Sequence, residues 1–249
     1  MSSLWWADVI THTFINFYST DPGNLQLTTI ILLCVKHMKI LICFIYWRGT
    51  ALIHIIDAGI GNYNSVANML DFLELDNEVV RNPDKAANAS HVILPGVGAF
   101  DYGMKSLIET GWYSYLKSLD SKTKLLGICL GMQLMCRESE EGTQKGLDLL
   151  DLKVMKFKSN DLPVPHMGWN SVEIEKPNKI FQFENIKNRF YFSHSYYIET
   201  AAFLDGELCT IYGSKFLSGF ALENLYGVQF HPEKSHKFGM QIFRNFASL

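Results

Sequence analysis

The chain has 249 residues, so at roughly 150 residues per domain it holds one large domain or two small ones. Lysine and arginine number 22 against 25 aspartates and glutamates, a net charge of −3, which excludes a strongly basic nucleic-acid binder and an acidic, disordered solvating chain. Hydrophobic residues make up 48 %, enough for a sizeable core, while charged residues at 19 % fall below the roughly 25 % of an average soluble domain.

The missing charge is missing at the N-terminus. Residues 1–50 carry only Asp8, Asp21, Lys36, Lys39 and Arg48, and they hold three of the five tryptophans. The stretch 25–47 is apolar but broken by Lys36, His37 and Lys39. Its longest uncharged run, 25–35, is about half the roughly 20 residues of a spanning helix. A secretory signal needs a basic region ahead of its apolar run, and here the preceding residues are neutral to acidic. The first 24 residues show neither a helical nor a strand period. The composition shift therefore sets a boundary near Ala51. Residues 1–50 are expected to be a leader outside the natural folded protein, such as upstream sequence read through to an early Met, and 51–249 to be one domain.

From residue 52 apolar runs and helical patterns alternate. Residues 52–56 (LIHII) form a short β-branched strand entering an Asp-Ala-Gly turn. Val66, Met69, Leu70 and Leu73 mark one face of a helix over 64–75. Strands are expected at 78–80, 91–94 and 124–128, a helix broken at Gly111 over 104–119, and another helix from 130 to 137. This order implies a mainly parallel sheet with helices on both faces. The second half offers successive strands at 152–157, 172–174, 190–192, 208–212, 220–223 and 226–230, an antiparallel layer folded onto the first sheet. A last helix covers 237–247.

The five cysteines, at 34, 43, 129, 136 and 209, are odd in number and lack a C-x-x-C spacing, so they read as reduced cytoplasmic thiols. Cys129 stands apart. In Gly127-Ile-Cys129-Leu-Gly131 it lies between a strand and a helix with glycine on both sides, a nucleophile-elbow pattern that lifts the side chain above the sheet. The helix N-terminus behind it favours thiolate. A cysteine nucleophile needs a base and a group to orient that base. His231-Pro232-Glu233 supplies both types, and its spacing does not match the i, i+4 pair of a helical zinc motif. The backbone N–H of Leu130 can serve an oxyanion, and Pro95-Gly96-Val97-Gly98 is the natural source of a second donor. Gly59-Ile60-Gly61 lacks the third glycine and the acidic residue of a dinucleotide fingerprint.

Together GICLGMQLM around Cys129, HPEKS from His231 and PGVGAF from Pro95 resemble the class I, triad-type glutamine amidotransferases. Pro165-His-Met-Gly-Trp-Asn170 further resembles the glutaminase subunits of imidazole glycerol phosphate synthases. The likeness runs from about residue 52 to the C-terminus. It implies a flavodoxin-like α/β amidotransferase fold, no cofactor and no metal. It implies a catalytic set of Cys129, His231 and Glu233 and an oxyanion strand at Gly96 and Val97 with Leu130. Gly98, Gln133, Glu141, Ser195 and Tyr196 match positions around the glutamine. Asn62, Trp169, Tyr191 and Lys234 match positions facing a (β/α)₈-barrel cyclase, in a heterodimer that uses neither nucleic acid nor membrane. In that family Cys129 would release ammonia from glutamine, and the cyclase would use it to make imidazole glycerol phosphate and an aminoimidazole carboxamide ribotide.

Two positions depart from the pattern: Ser193, where an apolar residue is usual, and Arg137, where an apolar or acidic one is expected. HPEKSHKFGM and RFYFSHSYY also resemble a branch found with surface-polysaccharide genes, in which the ammonia amidinates a sugar. A silent interaction module on this fold conflicts with the intact triad. A cysteine peptidase or γ-glutamyl hydrolase would leave PHMGWN unexplained.

Overall fold

The computed structural model describes residues 51–158, 162–183 and 188–249, and three strands within residues 1–50. The chain separates into two compact units, Met1–Gly49 and Thr50–Leu249. In the first unit β1 (His12–Phe17), β2 (Thr28–Leu33) and β3 (Leu41–Tyr46) form an antiparallel sheet in that order. β1 lies where the sequence shows no period. Pairing with β2 over its whole length, His12 with Leu33 through Phe17 with Thr28, makes it a strand. Residues 1–11, 18–27, 34–40 and 47–50, the remainder of the expected leader, lie outside the described residues.

The second unit is built on β4 (Ile53–Ile56), β5 (Asn77–Val80), β6 (His91–Gly96) and β7 (Lys124–Cys129), all parallel in the order β5-β4-β6-β7. Their side chains alternate between two buried layers. Val92 and Leu94 join one hydrophobic cluster and Ile93 the other, which is why these strands read as unbroken apolar runs. On the first face pack α2 (Phe100–Glu109) and α3 (Trp112–Lys117), through Phe100, Met104, Leu107, Trp112 and Leu116. On the other pack α1 (Tyr63–Phe72) and α5 (His236–Ala247), through Val66, Leu70, Ile242, Phe243 and Phe246. The expected break at Gly111 is there: its φ of +80° ends α2 and starts α3.

The antiparallel strands, expected as a layer folded onto the first sheet, instead continue this sheet edge to edge, because the strand Leu225–Val228 pairs with β7. β15 (Leu225–Val228) runs parallel to β7, and β14 (Ser214–Leu222), β13 (Gly206–Tyr212), β10 (His166–Lys176) and β11 (Asn188–His194) follow outward in that order. A branch leaves β14 through β12 (Tyr196–Ile198) and β9 (Leu150–Lys156) to β8 (Cys136–Ser139).

The helix expected over 130–137 is also corrected. The helix after the elbow, α4, covers only Leu130–Leu134, and Cys136 and Arg137 belong to β8. Leu134, Met135 and Cys136 are all fully buried, and leaving the helix lets Arg137 emerge to pair with Asp151 at the surface. That exit also accounts for the unusual arginine.

Candidate active site

Cys129 ends β7 with φ +54° and ψ −109°, a conformation that a cysteine adopts only under constraint. The constraint is close packing. A Cβ on Gly131 would lie 1.9 Å from the Leu94 carbonyl oxygen of β6, and one on Gly96 would lie 2.5 Å from the Gly131 nitrogen. Only glycines let α4 begin this near the strand ends, and the sharp turn presents Sγ above the sheet.

His231 follows β15 and lines the same cavity as Cys129, while its Nδ1 meets Glu233 Oε1 at 2.8 Å. Both the histidine and the carboxylate side chains are almost wholly shielded from solvent. Burial works against a charged imidazole, but the hydrogen bonds to Cys129 and Glu233 outweigh it and raise His231 to about 10. His231 is thus held protonated beside Cys129, with Glu233 fixing the ring. The remaining described cysteines are of another kind. Burial pushes the Cys136 thiol strongly up and the Cys209 thiol up to about 12, so both are protonated and inert.

Of the two peptide N–H groups expected to serve an oxyanion, one is already engaged. Leu130, the first residue of α4, lines the cavity beside the sulfur, where a first-turn N–H has no intrahelical partner. The Val97 N–H is engaged elsewhere: it donates to the Ile60 carbonyl at 2.6 Å. Ile60 belongs to the Gly59-Ile60-Gly61 turn, so the glycines that superficially suggest a dinucleotide loop serve to bring this turn against the end of β6.

A cavity of about 300 Å³ opens over Cys129 and His231. Gly98, Gln133, Glu141, Ser195 and Tyr196 all line it, so every residue expected around a substrate converges there. Gly98 lies on the rim with φ +106°. Gln133 is buried on α4 and donates to the Tyr196 carbonyl at 3.0 Å. Glu141 accepts from the Phe100 N–H at 2.9 Å, yet burial raises its carboxyl above the usual range. Ser193, the second departure, lines the same cavity, and its carbonyl stands 4.0 Å from Sγ.

The glutamine amidotransferase class-I family profile matches residues 54–248. The chain is a class-I glutamine amidotransferase. It is 46 % identical over 198 residues to imidazole glycerol phosphate synthase subunit HisH 2 of Methanococcus maripaludis, a match covering 78 % of this chain and 98 % of that protein. Against the protein of the same name from Pseudomonas aeruginosa the identity is 42 % over 201 residues, covering 80 % and 100 %. The fold matches a putative GMP synthase component from Thermoplasma acidophilum with a TM-score of 0.60 at 21 % identity, over 80 % of this chain and 93 % of that one. A second solved structure, of a glutamine amidotransferase, matches with a TM-score of 0.62 at 17 % identity, over 79 % and 99 %.

In this amidotransferase three of the expected docking residues form one patch near the cavity. Trp169, 39 % exposed on β10, stacks on His236 with centroids 5.5 Å apart and meets Tyr191 edge-on at 6.3 Å. Lys234 lies over the Tyr191 ring at 5.9 Å and also lines the cavity. Met167, 61 % exposed on the same strand, was not anticipated. Asn62 is the N-cap of α1, its side chain accepting from Ser65 N–H at 3.4 Å. Gln229, also unanticipated, is 0 % exposed and donates from Nε2 to Cys129 Sγ at 3.6 Å. The sequence did carry a signal for it: Gln229, His231 and Glu233 recur at every second residue after a strand.

Proposed function

We propose that this amidotransferase is the glutaminase subunit of an imidazole glycerol phosphate synthase. Its curated relatives at 40–46 % identity carry that subunit's name. The observation that carries the chemistry is that Cys129 and His231, the latter held by Glu233 at 2.8 Å, line one cavity together with the five expected substrate residues.

The reaction follows from that geometry. Cys129 Sγ attacks the side-chain carbonyl of glutamine, and the oxygen becomes an anion facing the Leu130 N–H. His231 passes its proton to the departing nitrogen, the C–N bond breaks, and ammonia leaves behind a glutamyl thioester. Water then attacks the thioester, with His231 accepting its proton. The C–S bond breaks and glutamate is released, so glutamine and water become glutamate and ammonia. Ammonia set free in neutral water would gain a proton and lose its lone pair. A partner docked at the Trp169–Tyr191–Lys234 patch would collect it directly, and a (β/α)₈ cyclase fits that place in the sequence of reactions.

The test is complementation of a histidine auxotroph that lacks this subunit, together with identification of the barrel protein that co-purifies. Growth without histidine is expected. An active glutaminase that fails to complement would overturn the histidine assignment and direct attention to another acceptor, such as a surface sugar.

A further inference from the structure

We propose that Gln229 is a positioning residue for the nucleophile: its side-chain amide holds the Cys129 sulfur and stabilises its anionic form. This rests on the reading of Cys129 as the nucleophile. The chain of hydrogen bonds starts at the Tyr196 carbonyl, which can only accept. Gln133 therefore turns its NH₂ toward it, at 3.0 Å. The same NH₂ reaches Gln229 Oε1 at 2.8 Å, which fixes the Gln229 amide with its oxygen toward Gln133. Gln229 must then aim its own NH₂ away, and what lies there is Cys129 Sγ at 3.6 Å. The orientation of both amides is set by a backbone carbonyl, not chosen freely.

The surroundings give the contact weight. Gln229 is wholly buried, and its main-chain N–H is tied to the Ser218 carbonyl at 3.0 Å, so water does not replace the donor if it is lost. A carboxamide has no proton to exchange in the working pH range. It can hold a sulfur anion without competing with His231 for proton transfer, which a second histidine could not. The arrangement also assigns the two ends of Gln133. Its NH₂ serves the protein, and its carbonyl oxygen is left as an acceptor toward the cavity.

The experiment measures alkylation of Cys129 by iodoacetamide across pH 5–9 in the full chain, followed at the Cys129 peptide by mass spectrometry, for wild type, Gln229→Leu and Gln229→Glu. Glutaminase kcat and KM are measured in the complex with the co-purified barrel partner, and melting temperatures of all three proteins are recorded. For Gln229→Leu we expect the alkylation profile to move to higher pH and kcat to fall roughly ten- to a hundredfold with KM little changed, the loss of one hydrogen bond to a charged atom. For Gln229→Glu we expect alkylation to be suppressed more strongly as the new carboxyl ionises beside the sulfur. A merely structural role would lower the melting temperature and leave the shape of the pH profile alone. That result, or profiles superimposable on wild type, overturns the proposal. If alkylation shifts as expected but the wild-type complex hydrolyses no glutamine, the functional reading fails while the placement of Gln229 stands.

Discussion

Docking of the partner should switch on glutamine hydrolysis by freeing one peptide N–H. In the chain alone the Val97 N–H is spent on the Ile60 carbonyl at 2.6 Å, leaving Leu130 as the donor beside Cys129. Rotating the Gly96–Val97 peptide would turn the Val97 N–H toward the developing oxyanion. One such donor is worth about 2.7–4 kcal/mol in the transition state, about a hundred- to a thousandfold in rate, and that sets the ceiling on activation. The floor comes from what holds the peptide back. Breaking the bond to Ile60 costs about 0.5–1.5 kcal/mol, which by itself accounts for only about a two- to thirteenfold difference between chain and complex. Any larger activation must come from backbone around Gly96, which is packed so closely on α4 that a Cβ there would lie 2.5 Å from the Gly131 nitrogen. The expected activation is therefore between roughly twofold and a thousandfold. Steady-state glutaminase assays of the chain alone, with partner, and with partner plus its ligand read it directly. Val97→Pro, which has no N–H to offer, should leave the complex no faster than the isolated wild-type chain. Equal turnover in all three wild-type conditions would refute the incomplete-hole mechanism while leaving the triad untouched.

Cys129→Ala should abolish glutamine-dependent synthesis and spare synthesis driven by added ammonia, and Glu233→Gln should lower kcat about 100- to 10,000-fold, as expected for a disoriented base; both are measured in the complex. Trp169→Ala should raise the partner concentration needed for half-activation by more than tenfold, an anchor residue's share of about 1.4 kcal/mol or more, while Cys129 alkylation in the isolated chain stays unchanged. A chain beginning at Ala51 should fold and keep its glutaminase activity, because the triad and cavity lie wholly within Thr50–Leu249; loss of folding would assign the N-terminal unit to the core. Acid should destabilise the protein through three buried histidines. Burial lowers His91 to about 4, with Lys124 adding to it, lowers His166 to about 4, and lowers His194 to about 3 with help from His166 and His231. The unfolded chain binds more protons than the native one below the ordinary value of 6.5, so stability is full above that pH and is lost as pH falls toward 4, at about 1.4 kcal/mol per pH unit per histidine. His231 has the opposite sign: its contribution is full below the ordinary value and is lost only as pH rises toward 10, so it does not offset the loss in acid. Melting temperatures at pH 7 and pH 5 check this, and a flat profile would contradict it.

What the sequence displays and what it hides follow a physical divide. The parallel strands were legible because both of their faces are buried, which leaves unbroken runs such as LIHII and HVIL, and because Gly111 ended a helix where a positive φ is required. The length of β10 was not legible. Its segment His166–Lys176 alternates buried and exposed residues irregularly, since its first part pairs with β11 and its last with β13, and no single face stays covered. The edge-to-edge continuation through β15 was hidden for a related reason. A short strand such as Leu225–Val228 reads the same whether it pairs in parallel with β7 or stacks on it, and only the register Leu225 with Leu125 through Val228 with Ile128 decides.

The site divides in the same way. The residues proposed to perform the chemistry, Cys129, His231 and Glu233, are marked in the sequence by side-chain type and local turn geometry, in two short motifs. Residues that tune them act through contacts between distant segments, such as Gln229 with Cys129, or Val97 with the Ile60 carbonyl. Gln229 looks like an incidental polar group at a strand end until Gln133 and the Tyr196 carbonyl fix which way its amide must face. Val97 looks like an oxyanion donor until its N–H is seen to be committed elsewhere. In both cases the decisive fact is the direction of a hydrogen bond. Direction depends on every neighbour at once, and a linear pattern of residue types does not encode it. The identity of the proposed nucleophile is therefore written in local sequence, while the contacts around it are a property of the assembled fold.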